Sequence, residues 1–346
     1  MIERILIENF KSLKKIEFDN VKRVNLIGGR NNSGKSTLLE AVFFFFDRLS
    51  ADQTMRHLAW RGIQKLDLEP EKMWSPLFYN FEMQNAIKIK ISKEIMFVNS
   101  DKNYKPKLAD KENNILLENV GNLSTQQNFS LSVKVSENNK ELFKSYHTIS
   151  GLNIEKNTSK LEIAAYLSGR TFNAAELISE FNKTDEMGET GELVEALKII
   201  DERVENLSLN MAGGVSVIYA KINGIDRKIP AALLGDGINR LLAIIIKIKT
   251  CKNGVVLIDE IENGFHYSTM TKIWELINKL SKKYNCQIFA ATHSYECLKA
   301  AFDCFESSKD DFQYIRMAKS KTGEITPKIY DYDVLESAIE NDLEVR

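Results

Sequence analysis

One eight-residue segment constrains the fold more than any other part of this chain. Residues 29–36 read Gly-Arg-Asn-Asn-Ser-Gly-Lys-Ser and fit the pattern G-x-x-x-x-G-K-[ST]. The buried-type apolar run Val24–Ile27 precedes them and predicts a strand, whereas the apolar spacing of Ser36–Leu49 predicts a helix after them. Because a strand, this loop and a helix form a phosphate-binding unit, the segment predicts an α/β fold with a P-loop.

The residue types of this loop suit a nucleoside triphosphate bound with a metal ion. Glycines let backbone N–H groups approach phosphate oxygens, and the start of the helix adds a favourable dipole. Lys35 would neutralise the β- and γ-phosphates, and Ser36 would ligate Mg²⁺. We therefore predict ATP and Mg²⁺ as ligands, with the nucleotide contacted by Gly29, Asn31, Asn32, Ser33, Gly34, Lys35, Ser36 and Thr37.

A second apolar run ends in two adjacent carboxylates. Val255–Ile258 reads as a buried strand, and Asp259 and Glu260 follow it directly. Because successive side chains of a strand point in opposite directions, the two acids can serve different partners. We assign Asp259 to the Mg²⁺ site and Glu260 to general-base activation of the attacking water.

A third apolar run ends in a histidine. Gln287–Ala291 predicts a strand of the next βα unit, and His293 follows it. A neutral imidazole at this sheet edge could form a hydrogen bond with the γ-phosphate or with the lytic water, so we predict a catalytic role for His293.

A second possible anion site lies between these motifs. Gly235, Asp236 and Gly237 precede the strongly apolar helix predicted over Ile238–Lys249. This helix start cannot serve the phosphate that Gly29–Ser36 binds within one compact head, because both would require the same γ-oxygens. The sequence therefore predicts that this helix start contacts the nucleotide of a partner copy in a homodimer with composite ATP sites. Assembly of such dimers into a higher oligomer is possible on this pattern.

The chain between the motifs indicates a divided ATPase head. Alternating strands are predicted from about residue 77 to 149, and helices over Ala174–Phe181 and Glu192–Leu207. We predict segment 1–60 as the first part of the head, segment 61–210 as a β-rich insertion with a small helical lobe, and segment 211–346 as the second part. Sustained heptads are absent, which argues against a long coiled coil.

Composition narrows the functional classes. Lys and Arg number 47 against 48 Asp and Glu, so the global charge attracts neither nucleic acid nor an anionic membrane. Basic clusters at residues 11–15, 102–107 and 319–321 permit local DNA contact but are more typical of solvated surfaces. Apolar runs fall far short of the ~20 residues of a membrane helix, and the start of the chain does not resemble a secretion signal, so we expect a cytoplasmic protein.

In this order the motifs resemble those of ABC-type ATPase heads of the SMC, RecF and OLD families: Walker A, signature motif, Walker B with D-loop, and switch histidine. The chain is most similar to the OLD-like group of prokaryotic AAA ATPases. The segments that carry this similarity are 9–12 (Asn-Phe-Lys-Ser), 74–81, 234–237 (Leu-Gly-Asp-Gly), 259–266 and 292–296.

The resemblance carries further expectations. Only about fifty residues follow His293, without the pattern of the Toprim nuclease domain of OLD proteins, so it implies an ATPase subunit that regulates a separate nuclease or toxin effector, as in phage defence. A DNA-binding or DNA-repair ATPase similar to RecF remains the alternative.

Two motif residues differ from the usual pattern or stay open. Asp236 stands where the signature motif usually has a small residue. The Q-loop residue stays open between Gln53 and Gln64, and exposed surface glutamines are the favoured interpretation.

Overall fold

The computed structural model describes residues 1–60, 62, 69–102, 129–148, 151–158, 163–169 and 174–341. Its strands are β1 (Arg4–Phe10), β2 (Leu13–Asp19), β3 (Val24–Gly28), β4 (Ile87–Ile91), β5 (Glu94–Asp101), β6 (Ser130–Glu137), β7 (Lys140–Thr148), β8 (Gly151–Asn157), β9 (Ala164–Leu167), β10 (Val204–Ala212), β11 (Val215–Ile222), β12 (Ile229–Pro230), β13 (Val255–Ile258), β14 (Gln287–Ala291), β15 (Phe312–Lys319) and β16 (Ile325–Tyr330). Its helices are α1 (Lys35–Phe46), α2 (Arg56–Ala59), α3 (Pro70–Trp74), α4 (Ala174–Glu186), α5 (Thr190–Leu197), α6 (Asp236–Thr250), α7 (Met270–Lys283), α8 (Tyr295–Cys304) and α9 (Tyr332–Glu340).

The chain forms two compact units. The first contains Met1–Glu3, Asn20–Leu39 and Glu162–Arg346, and the second contains Arg4–Asp19 and Glu40–Leu161. These units divide the chain differently from the segments predicted at 1–60, 61–210 and 211–346. The physical reason is strand pairing: β1 pairs with β4, so the first hairpin belongs to the sheet of the expected insertion. The helical lobe, in contrast, belongs to the first unit.

A six-stranded sheet organises the first unit. Its order is β16-β15-β3-β14-β13-β9, parallel except for β16. The strands β3, β13 and β14 are buried along their whole length, as continuous apolar runs of a parallel sheet should be. Because these three strands are parallel neighbours, their carboxyl ends lie at one sheet edge, where the loops that follow them meet.

Helices and a small second sheet complete the first unit. The helix α6 buries almost its entire apolar stretch and contacts α4, α5 and α7. The predicted helix Glu192–Leu207 is wrong in its second half: α5 ends at Leu197, and Val204 begins β10, which pairs with β11. Val204 and Leu207 are three residues apart, a spacing that suits a helix, but a shift in the pairing register between Val204 and Asn206 leaves both buried in β10.

The second unit contains a seven-stranded antiparallel sheet. Its order is β2-β1-β4-β5-β6-β7-β8. In β4 every second residue is fully buried, and this alternation gives the sheet one face toward a core. The antiparallel architecture predicted for this part of the chain is thus present, with β1 and β2 added to it.

Within the described residues the longest helix is α6, with 15 residues, so this part of the chain contains no long coiled coil. None of the helices described here is long and apolar enough to cross a membrane.

Candidate active site

The loop between β3 and α1 wraps closely on itself. Gly29, Asn32 and Gly34 all have positive φ, at 131°, 58° and 89°. A Cβ atom on Gly29 would lie 2.4 Å from the carbonyl oxygen of Met317 and 2.9 Å from Oγ of Ser33. Position 29 therefore requires glycine on both conformational and steric grounds, and the loop keeps the compact path that phosphate binding needs.

Lys35 lies over this loop as a desolvated cation. Its Nζ donates to the carbonyl oxygens of Gly29 (2.7 Å) and Arg30 (2.9 Å). Burial lowers the pKa of Lys35 from 10.5 to about 8, although the charges of Asp259, Glu262 and Glu260 partly oppose that shift. A lysine in this state gains much from a polyanionic ligand, whose charge would replace the lost hydration.

Ser36 and Asp259 meet between α1 and the end of β13. Oγ of Ser36 donates to Oδ1 of Asp259 over 3.0 Å, and the hydroxyl of Tyr166 lies 3.4 Å from Oδ2. A serine hydroxyl beside a carboxylate is a pair of hard oxygen donors, which is the ligand type that Mg²⁺ prefers. The two residues predicted to hold the metal are thus adjacent and fit that ion.

Glu260 points away from this pair. Its Oε2 accepts a 2.7 Å hydrogen bond from Nδ2 of Asn263, and its Oε1 lies 3.9 Å from Nε2 of His293. The backbone of Glu260 has a φ of 49°, an uncommon conformation for a residue with a side chain. The adjacent carboxylates therefore face different partners, as the sequence predicted, and Glu260 and His293 come together.

The segment that carries His293 is held by a further acid. Oε1 of Glu262 accepts hydrogen bonds from the backbone N–H groups of His293 (2.7 Å) and Ser294 (3.2 Å). His293 and Ser294 also line a small cleft with Gly28 and Gly29. The imidazole is thereby placed beside the start of the phosphate loop.

The predicted signature segment packs against the loop that follows Glu260 in the same chain. Gly235 has a φ of 112° and precedes α6, which begins at Asp236. A Cβ atom on Gly237 would lie 2.6 Å from the carbonyl oxygen of Gly264, which belongs to the segment after Glu260. The first turn of α6 is therefore in close contact with the loop that carries the predicted base.

Sequence reasoning did not identify several residues around Glu260. Arg240 donates to backbone carbonyls near it, and the Ser168–Gly169 segment lies against its side chain. A signal existed for Arg240, which is the only charged residue in the apolar run from 238 to 246. The short segment after β9 carried no such signal, because its importance comes from a strand pairing distant in sequence.

The structure tests some of the surface positions that the sequence predicted for the two glutamines and the basic clusters. Gln53 is buried, and its Nε2 donates to the carbonyl oxygen of Phe44, so the interpretation of an exposed surface glutamine is wrong there. Gln64 lies outside the described residues. Lys11 forms a buried ion pair with Glu40, whereas residues 103–107 of the second basic cluster are also outside the described part.

Comparisons with known proteins identify the family of this chain. Residues 24–298 match a protein family described as "AAA domain, putative AbiEii toxin, Type IV TA system". A relative from Helicobacter pylori, described as an ATP/GTP phosphatase, is 26% identical over 378 residues, covering 99% of each chain.

The fold is similar to that of solved SMC heads. An Smc head bound to the C-terminal winged-helix domain of ScpA has a TM-score of 0.51 and 14% identity, covering 98% of this chain and 99% of the other. An Smc head with an extended coiled coil, bound to the C-terminal domain of ScpA from Pyrococcus furiosus, has a TM-score of 0.50 and 13% identity, covering 99% of each. The chain therefore belongs to the AAA-domain family that it matches, and it is an ATPase built on an ABC-type P-loop head.

Proposed function

We propose that this protein is an ATP-driven switch in which two copies close around ATP and regulate a separate effector. The observation that carries the proposal is the meeting of five predicted site residues at the phosphate loop. Asp259 bonds Ser36, its charge acts on Lys35, and Glu260 lies 3.9 Å from His293. This arrangement favours hydrolysis over simple nucleotide binding, because a pure binding site needs no second carboxylate.

Each residue has a separate part in the proposed reaction. Lys35 would pair with the β- and γ-phosphates, and Ser36 and Asp259 would hold Mg²⁺, which when bound neutralises phosphate charge. Glu260 would accept a proton from the attacking water, and His293 would orient that water or contact the γ-phosphate. Asn263 would keep the Glu260 carboxylate directed through its 2.7 Å hydrogen bond.

The proposed dimer uses the start of α6. This helix begins after Gly235, so its N–H groups and dipole favour an anion. Two large side chains are exposed at neighbouring positions of the chain: Leu233, just before this helix, is 75% exposed, and Tyr267, just after the segment 259–266, is 68% exposed. A second copy that presents its own bound nucleotide would meet the helix end and cover such side chains.

The effector proposal draws on the family description, "AAA domain, putative AbiEii toxin, Type IV TA system", which relates the family to toxin–antitoxin systems. With the resemblance to OLD-like ATPases, it supports a cytoplasmic role in phage defence beside a nuclease or toxin. ATP binding would join two heads and hydrolysis would release them, so the nucleotide state could determine whether the effector is held or active.

DNA binding remains a second candidate because of one observation in the second unit. Lys88, Phe97, Lys134, Lys144 and Lys156 are consecutive cross-strand neighbours on β4 to β8. A basic row with an aromatic side chain suits single-stranded nucleic acid. Ion pairs of this row with Glu8, Glu155 and Glu141 reduce its charge, so we rank this function second.

The first test is the mass of purified Glu260→Gln protein in solution, measured by light scattering with and without Mg·ATP. We expect ATP to convert monomers to dimers, or to tighten an existing dimer, because slow hydrolysis would retain the closed state. Lys35→Ala is the control, and its mass should be the same with and without Mg·ATP. If ATP binds but changes neither the mass nor the protein concentration at which the dimer dissociates, the composite-site proposal is contradicted. Salt-dependent DNA binding that ATP strengthens would favour the second candidate instead.

A further inference from the structure

Arg240 connects the first turns of α6 to the backbone of Asp259 and Glu260. Its guanidinium donates to the carbonyl oxygens of Ser168 (2.8 Å), Asp259 (2.5 Å) and Glu260 (3.4 Å). It follows Gly237 by three residues, which is nearly one helical turn. A planar, rigid guanidinium is well suited to fix several carbonyls at once.

The side chain of Glu260 is confined from another direction. A Cβ atom on Gly169 would lie 2.6 Å from Oε2 and 2.9 Å from Cβ of Glu260. Asn263 bridges the two, since its Nδ2 donates to the carbonyl oxygen of Gly169 (3.2 Å) and to Oε2 of Glu260 (2.7 Å). The main chain fixed by Arg240 at Ser168 therefore continues directly into the surface that supports the carboxylate.

The conformation of Glu260 makes such support necessary. A non-glycine residue with a φ of 49° persists only when its surroundings hold it there. Arg240 holds the carbonyls on both sides of this backbone position, while Gly169 and Asn263 bound the side chain. Movement of the first turn of α6 would shift these contacts together.

We infer that Arg240 is a positioning residue that sets Glu260 of its own head according to the state of Gly235–Gly237. The inference rests on the proposed function, in which that loop contacts the nucleotide held by the partner copy. Closure of α6 on the partner's ATP would then align the base of the same head. Hydrolysis at each site thereby depends on nucleotide at the other site, and the two sites act cooperatively.

The test compares two buried cations of the same helix. Arg240→Met removes the contacts to the three carbonyls. Lys247→Met is the matched control, because Lys247 is buried in ion pairs with Glu176 and Glu180 of α4. We expect Arg240→Met to lower kcat about 10- to 100-fold, with KM and the affinity for a non-hydrolysable ATP analogue changed less than about twofold. Lys247→Met should lower the melting temperature while kcat stays close to wild type.

Two conservative variants test the inference even if Arg240→Met fails to fold. Arg240→Lys keeps the charge but loses the rigid fork, so its kcat should fall between wild type and Arg240→Met, and its Hill coefficient for ATP should fall toward 1. Gly169→Ala, whose new methyl group would displace Glu260, should lower kcat without touching α6. Wild-type kcat and cooperativity in both variants would overturn the inference.

The outcomes separate this inference from the function on which it rests. Wild-type protein whose ATP turnover does not exceed that of Lys35→Ala would refute the proposed function itself. Lys35-dependent turnover in wild type, with an equal loss of kcat in Arg240→Met and Lys247→Met, would refute only the positioning role of Arg240. In that case the loss would follow stability and not the alignment of Glu260.

Discussion

Ser36 at the start of α1 and Asp259 at the end of β13 are joined by a 3.0 Å hydrogen bond, although 223 positions separate them in the chain. The bond brings the first turn of the P-loop helix against the strand that precedes the predicted base. In a binding site for Mg·ATP, both oxygens would turn toward the metal ion.

Asp259→Asn should raise the Mg²⁺ concentration required for ATP hydrolysis by about tenfold or more, because an amide oxygen carries no charge for the ion. ATP binding without metal should change little. A titration of the hydrolysis rate with Mg²⁺ measures this effect. Tyr166→Phe, which removes the 3.4 Å contact to Oδ2 but keeps the carboxylate, is the control and should have a smaller effect. An unchanged Mg²⁺ requirement in Asp259→Asn would remove that residue from the metal site.

The affinity for ATP should fall as pH rises above about 8. Burial lowers the pKa of Lys35 to about 8 before ATP binds, and the negative charge of a bound triphosphate would raise it again. Below that pH, lysine is charged both before and after binding, so affinity is flat. Above it, binding must take up a proton, and affinity should fall by up to about tenfold per pH unit.

Fluorescence titration with an ATP analogue across this pH range tests the expectation. Calorimetry in buffers of different ionisation enthalpy should detect the proton uptake. Lys35→Arg keeps a permanent charge and should lose the pH dependence, even if it binds more weakly. A constant wild-type affinity up to about pH 9.5, without proton uptake, would contradict this account of Lys35.

Glu260→Gln should bind ATP as wild type does but hydrolyse it at least about 100-fold more slowly, because glutamine cannot accept the proton of the attacking water. Single-turnover hydrolysis and equilibrium binding, measured on the same preparation, separate the two steps. Glu275→Gln, at an exposed position of α7, is the control and should leave both unchanged. Equal hydrolysis by Glu260→Gln and wild type would assign the base to another group.

The strands that precede the phosphate loop, Asp259 and His293 could be predicted because each has an unambiguous apolar pattern. The bounds of β14 and of β13 agree with the predicted strands, since continuous apolar runs end there at polar residues. Their parallel order also places Asp259 and His293 at one sheet edge. In contrast, the end of the helix predicted at Glu192–Leu207 was wrong, because the three-residue spacing of Val204 and Leu207 suits a helix, whereas β10 buries both through a shift in its register with β11.

The support of Glu260 could not be predicted from local patterns. The hydrogen bond from Arg240 to Ser168 spans 72 positions, and Gly169 gains its role only because β9 pairs with β13. Nor does local sequence show that Gly237 packs on Gly264, since that contact depends on where α6 enters the core. Chemistry at strand ends was therefore predictable, whereas the contacts that orient it depend on the tertiary structure.

Acid should destabilise the second unit through His147. Burial lowers the pKa of this histidine from 6.5 to about 4, so the folded state keeps it neutral where the unfolded chain takes up a proton. Above pH 6.5 the histidine is neutral in both the folded and the unfolded chain, so it does not lower the free energy of unfolding. As the pH falls toward 4, its protonation in the unfolded chain lowers that free energy by about 3 kcal/mol. Urea unfolding at several pH values should show a smaller acid loss in His147→Phe. An equal loss in both proteins would assign the acid sensitivity to other groups.

Dimer closure is best tested at Leu233, because a substitution at Gly237 would also displace Gly264 of the same head. Leu233→Arg adds charge to a side chain that is already 75% exposed, so the fold and ATP binding to one head should persist. We expect it to prevent the ATP-dependent mass increase of the Glu260→Gln protein and to lower turnover in the otherwise wild-type protein. Met187→Arg, at a position 71% exposed after α4, is the matched control and should dimerise normally. If Leu233→Arg dimerises with ATP as readily as this control does, the partner's nucleotide is not recognised through the start of α6, and Gly235–Gly237 would have only a structural role within its own head.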